Sequence, residues 1–103
     1  MDVFEALADP RRRQVVQLLS ERPRRAGELA EGAGLSAPAM SRHLRSLLDA
    51  GVIEDERVPH DARLRVFRLR PQSLVAVQAY LDQLKVEWDG QLRSFKRHVE
   101  ETS

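Results

Sequence analysis

Residues 35–53, LSAPAMSRHLRSLLDAGVI, carry the reading of the fold. Ser36 can cap a helix, and Pro38 falls in the first turn, where a missing N–H costs little. At about 100° per residue, Met40, Leu44, Leu47 and Leu48 fall on one side of that helix. Arg42 points almost directly away from them, flanked by Pro38, Arg45 and Ser46. The apolar stripe predicts attachment to a core, which leaves Ser41, Arg42 and Arg45 presented outward.

Upstream, Asp9-Pro10 interrupts a short amphipathic start built on Val3, Phe4 and Leu7, supplying an N-cap and a proline at the first helical position. Val15, Val16, Leu18 and Leu19 predict a helix from Arg11 to Ser20, closed before Pro23. A third helix is expected over 26–32, with Leu29 and Ala30 inward and the Gly32-Ala33-Gly34 turn after it. Downstream of Gly51 the period changes. Ile53 to Val58 and Leu64 to Leu69 read as two strands, joined by a loop Pro59-His60-Asp61-Ala62-Arg63 that carries an arginine. Leu64 and Val66 alternate with Arg65, while the facing of Phe67, Arg68 and Leu69 stays open.

From Ser73 to about Glu101 the helical rhythm returns through Leu74, Val77, Leu81, Leu84, Trp88, Leu92, Phe95 and Val99. Such a helix would be about 40 Å long. A core this small cannot cover that whole stripe, so part of it should meet a second copy of the chain. Helix, tight turn, helix and hairpin make a mainly α fold with a small β-hairpin, the order of a winged helix-turn-helix. The expected division is one domain over 1–103, with the helix-turn-helix at 26–48, the wing at 53–69 and a C-terminal dimerisation helix at 73–101.

Composition narrows the chemistry. The chain has 103 residues and no cysteine, which excludes disulfides, thiolate metal sites and cysteine nucleophiles. Net charge is only +1, but it is unevenly placed. Residues 36–70 hold seven arginines against five acids, whereas 1–35 hold six of each sign. Arginine's planar fork suits phosphates and guanine edges. The three histidines lie in different elements, with no nucleophile, acid pair or glycine-rich phosphate loop beside them, so the chain does not read as an enzyme. No apolar run is long enough for a membrane span, and the N-terminus lacks a secretory pattern. The chain is expected in the cytoplasm.

ALADPRRRQVVQLL, ELAEGAGLSAPAMSRHLRSLLDAGVIE and the wing ending LRVFRLRP resemble the ArsR-type winged-helix transcriptional repressors. The tail from Pro71 is similar to a subgroup without cysteine metal ligands. The resemblance covers nearly the whole chain. It implies a homodimer on double-stranded DNA, with the recognition helix in the major groove and the wings on flanking backbone. It places DNA-reading residues at Ala37, Pro38, Ser41, Arg42 and His43, and wing arginines at Arg57, Arg63 and Arg65. It also assigns the dimer interface to the terminal helices, through Val3, Phe4, Leu81, Leu84, Trp88, Leu92 and Phe95. Two positions depart from the family pattern. Arg25 stands where many members have a capping Ser or Thr, and Ala37 offers only a methyl where many have a polar side chain.

On physical grounds Arg42 is the candidate for a guanine contact, with Ser36, Ser41 and Arg45 on phosphates or in mixed contacts. His43 either packs or touches a base. Arg11, Arg12 and Arg13 either bind phosphate or are simply solvated or paired with Asp9, a helix start being an unfavourable place for cations. His60 is expected in solvent. The family's metal-sensing spacing falls here on Lys85, Glu87, His98 and Glu101, a set too poor in nitrogen donors for zinc, so no metal or cofactor is expected. Trp88, Tyr80 and Phe95 read as core or interface rather than as a ligand pocket, and a small-molecule effector is left open. A different class of function also remains. The acids Asp49, Glu54, Asp55 and Glu56 dilute the positive field, so the same arginine face could dock an acidic protein partner.

Overall fold

The computed structural model describes residues 1–102, apart from the side chains of Ala62 and Arg63. Asp2 opens helix α1 (Val3–Ala8), its carboxylate accepting from the Glu5 N–H at 2.8 Å. Asp9 then opens α2 (Pro10–Glu21), with Pro10 in the first turn and the Arg11 N–H donating to its carboxylate at 2.7 Å. After Pro23, Arg24–Arg25 form a two-residue strand β1, followed by α3 (Ala26–Ala33) and α4 (Ala37–Asp49). The hairpin is β2 (Ile53–Val58) and β3 (Asp61–Leu69), and α5 (Pro71–Thr102) completes the order.

The turn between α3 and α4 is built by backbone chemistry. Gly34 sits at φ 67°, a left-handed conformation that costs an L side chain about 1–2 kcal/mol. That bend lets the Gly34 N–H reach the Glu31 carbonyl and the Leu35 N–H reach that of Ala30, satisfying carbonyls that α3 leaves open. Gly51, at φ 75°, repeats the device after α4. Its N–H bonds the Leu48 carbonyl and the Val52 N–H bonds that of Leu47, so the chain turns into β2 while Leu47 and Val52 both stay buried.

The core draws on α1 to α4 and the sheet. Ala6, Val15, Leu19, Leu29, Ala30, Ala33, Met40, Leu44, Leu47, Val52, Ile53 and Phe67 are buried, and Leu48 packs against them half-covered. The expected stripe of α4 therefore faces inward. No residue of α5 is buried.

Three local expectations change. The loop of the hairpin is shorter than the five residues read from the sequence, because β3 already begins at Asp61, paired with Val58 across a register irregularity at Arg57/Val58. On β3 the core position belongs to Phe67, and Leu64 and Val66 are only half-buried. A third strand also exists: β1 pairs antiparallel with β3, Arg24 opposite Phe67 and Arg25 opposite Val66, giving the order β1-β3-β2. Helix bounds shift by up to two residues, with α2 reaching Glu21 and α5 starting at Pro71.

Candidate nucleic-acid interface

The exposed face of α4 is held by its buried one. Ser36 caps the helix, accepting from the Ala39 N–H at 3.3 Å. Ala37, Pro38, Ser41, Arg42 and Arg45 all lie exposed along the outer side, while Met40, Leu44 and Leu47 are buried beneath. Pro38, Ser41, Arg42, Arg45, Ser46 and Asp49 line one shallow depression on that face. His43 is half-buried at the edge of the stripe, and its charge acts on Asp9 at the start of α2. Among the described residues neither the Arg42 nor the Arg45 guanidinium has an ion-pair partner.

The arginine run of α2 is engaged differently. Arg11 donates to the Ala33 carbonyl at the end of α3 (2.9 Å). Arg12 donates to the Ala6 carbonyl at 2.8 Å, and Arg13 to those of Leu7 and Ala8 at 3.0 and 2.9 Å. These cations sit at the start of their own helix, yet they meet the C-terminal carbonyls of two neighbouring helices, where positive charge is favoured. The sequence leaves phosphate binding, solvation or pairing with Asp9 open, and the structure adds that all three guanidiniums donate to backbone carbonyls. Asp9 likewise serves the backbone. Its carboxyl is held below the ordinary value chiefly by the Arg11 N–H, against an opposing desolvation, with smaller contributions the same way from the Arg12 N–H and the charges of His43 and Arg12.

The wing consumes most of its own charge. Arg65 binds Asp55 at 2.8 Å and lies over the Phe67 ring, 5.1 Å from its centroid. Arg68 bridges Glu54 and Glu56 at 2.8 and 3.1 Å, and Arg70 stands 3.9 Å from Glu54. Glu54, Asp55 and Glu56 are thus matched across the strands, while Asp49 on α4 has no ion-pair partner among the described residues. Arg57 is exposed at the far end of β2 and also has a partner within the fold. Arg63 falls outside the described side chains. His60 is exposed in the tight turn.

Arg25, standing where many family members have a capping Ser or Thr, makes no cap bond through its side chain. The Glu28 carboxyl, at the third helical position, is held below its ordinary value mainly by Arg22, 2.9 Å away, with a smaller contribution from the Arg25 N–H. The Arg25 guanidinium, unpaired among the described residues, lines with Arg45 a groove between α3, α4 and the wing. The pairing of β1 with β3 places Arg25 there, and two arginines after a proline give no strand signal to announce it.

On α5 the apolar stripe stays open. Leu81, Leu84, Trp88, Leu92 and Phe95 are exposed, and so is Phe4 on α1, which packs against Tyr80 with centroids 4.9 Å apart and ring planes tilted by 58°. Val3 packs in part against the protomer's own core. Among the described residues no three His, Asp or Glu side chains gather as metal donors, and no helix is long and apolar enough to cross a membrane.

Residues 9–55, from the cap of α2 into β2, match the family described as bacterial regulatory protein, arsR family. An HTH-type transcriptional regulator of Mycobacterium tuberculosis, Rv2034, is 35% identical over 97 residues, which span 94% of this chain and 85% of that protein. An ArsR-like transcriptional regulator from Rhodococcus sp. RHA1 superposes with a TM-score of 0.80 at 27% identity, over 96% of this chain and 88% of that one. The homodimeric winged helix-turn-helix DNA-binding domain of Mb0332 from Mycobacterium bovis superposes with a TM-score of 0.64 at 25% identity, over 82% and 76% of the two chains. These likenesses run through the same helix, glycine turn and hairpin that present the unpaired arginines, and the chain belongs to the ArsR family of bacterial transcriptional regulators, DNA-binding proteins rather than enzymes.

Proposed function

We propose that the chain works as a homodimer that binds a palindromic operator in double-stranded DNA and represses transcription by occupying it. One observation carries this reading: α4 is pinned by a buried stripe while its opposite face offers Arg42 and Arg45, which have no ion-pair partner among the described residues. Arg42 contacts a guanine edge, Ser36, Ser41 and Arg45 take phosphates or mixed contacts, and Ala37 and Pro38 supply apolar contact such as a thymine methyl. His43 supports the helix from its half-buried edge. Arg57, Arg63 and Arg65 lie on or near flanking backbone, Arg65 through a side chain already braced by Asp55. Two such helices related by a two-fold axis call for half-sites about 34 Å apart, hence an imperfect palindrome. The complex forms in the cytoplasm.

The test is selection of bound duplexes from random DNA, followed by titration in rising salt. A palindromic consensus should emerge, and log affinity should fall against log salt with a slope of about −0.9 per phosphate neutralised. Arg42→Ala should lose about 1–3 kcal/mol of discrimination between selected and scrambled sites. Flat salt dependence, or no enriched sequence, would instead assign the arginine face to an acidic protein partner.

A further inference from the structure

The groove between α3, α4 and the wing has a character that nucleic-acid contact does not require. It encloses about 560 Å³, within the range of small-molecule sites. Leu44, Leu48, Leu64 and Phe67 line it with apolar surface, and Arg25 and Arg45 stand on its walls. Phosphates and sugars gain nothing from an apolar lining, whereas a ligand with a compact hydrocarbon body does. Two guanidiniums without partners among the described residues ask for one anionic group in reach of that lining. The other charges on the walls are already spent, Arg65 on Asp55 and Glu28 on Arg22. Glu28 nonetheless stays ionised, which disfavours a ligand with a second negative charge.

We infer that this groove is a binding site for an amphipathic organic monoanion, an apolar body carrying a single carboxylate, and that its occupancy excludes DNA. The exclusion rests on the preceding reading of α4, because Ser41 and Arg45 line both this groove and the exposed face of the recognition helix. A carboxylate held by Arg45 removes a cation from phosphate and puts negative charge where the duplex backbone would pass.

The experiment uses the full chain with 2-naphthoate as probe and 2-naphthylmethanol as its neutral counterpart. Calorimetry on the free protein should give saturable binding of naphthoate, at least about tenfold tighter than the alcohol, since a charge-assisted hydrogen bond is lost with the charge. Naphthoate should release operator from the protein in fluorescence anisotropy. Arg25→Ala should weaken naphthoate about tenfold while changing operator affinity by less than about threefold, because Arg25 is outside the proposed DNA-contact set. The inference is overturned if naphthoate does not saturate, if the alcohol binds equally well, or if naphthoate and operator bind together without mutual effect. It is also overturned if Arg25→Ala weakens operator as much as probe, which would assign the groove to DNA. A protein that binds naphthoate through Arg25 but binds no duplex sinks the reading of α4 and leaves the ligand site standing.

Discussion

Arg12 and Arg42 are both arginines on helices that follow an acidic or hydroxyl cap, and what separates them is the backbone in reach. Arg12 and its neighbours end on carbonyls that α1 and α3 leave unbonded, so their charge is part of the fold. Arg42 is exposed and has no ion-pair partner among the described residues. Asp9 shows the same logic from the acidic side, closing the start of α2 with a bond from the Arg11 N–H. Because its folded carboxyl titrates below the ordinary value, the stabilisation it gives is fully present above the unfolded value and is lost as pH falls through the folded one. Asp9→Ala should therefore cost about 0.5–2 kcal/mol at neutral pH. The difference from the parent should shrink in strong acid, as urea unfolding at a series of pH values would show. A deficit that stays constant into acid would mean the cap acts through packing rather than charge.

At the scale of elements, legibility followed the physics that makes each one. Helices α2, α3 and α4 were readable because their apolar positions recur every three or four residues and their caps are local in sequence. The hairpin strands were readable for a similar reason, through their β-branched and apolar content. What was not readable depends on contacts between distant segments. Strand β1 forms only because the β3 edge is there to pair with it. Phe67 is the core residue of β3 because its strand faces Arg24 and the helices beneath, which no alternation within LRVFRL states. The outer face of α4 was legible as a face, but the unpaired state of Arg42 and Arg45, and the place of Arg25 beside the groove, required knowing where Glu28, Asp55 and Glu56 find their partners. The α3–α4 turn gives a clean test of the local part. An added Cβ at Gly34 meets nothing within 4 Å, so Gly34→Ala should pay only the left-handed backbone cost, about 1–2 kcal/mol. Gly34→Asn should recover part of it, since Asn tolerates that region better. Equal loss for both in thermal or urea unfolding would point to a crowded site instead of a strained one.

The molecule as a whole is stretched by one element. Its radius of gyration is 19.3 Å and its longest extent 71 Å, against about 13 Å of radius for a compact chain of this length. The excess comes from α5, 32 residues with none buried, touching the rest mainly through α1 and the tilted Phe4–Tyr80 pair. Trp88 is 61% exposed and Leu92 52%, and an apolar stripe of this length is covered most economically by its own copy. If that is the seam, the assembly and the far half of α5 stand or fall together. Trp88→Glu should then give a monomer by sedimentation or light scattering. The core of α1–α4 and the sheet should keep its amide-exchange protection, because no buried residue is altered, while protection beyond Trp88 should collapse with the loss of packing. The parent's unfolding midpoint should rise with protein concentration and the variant's should not. Leu92→Glu, one helical turn on, should reproduce the pattern. A Trp88→Glu protein that still sediments as a dimer would move the seam to the other side of α5, where Val75 and Val86 are also exposed.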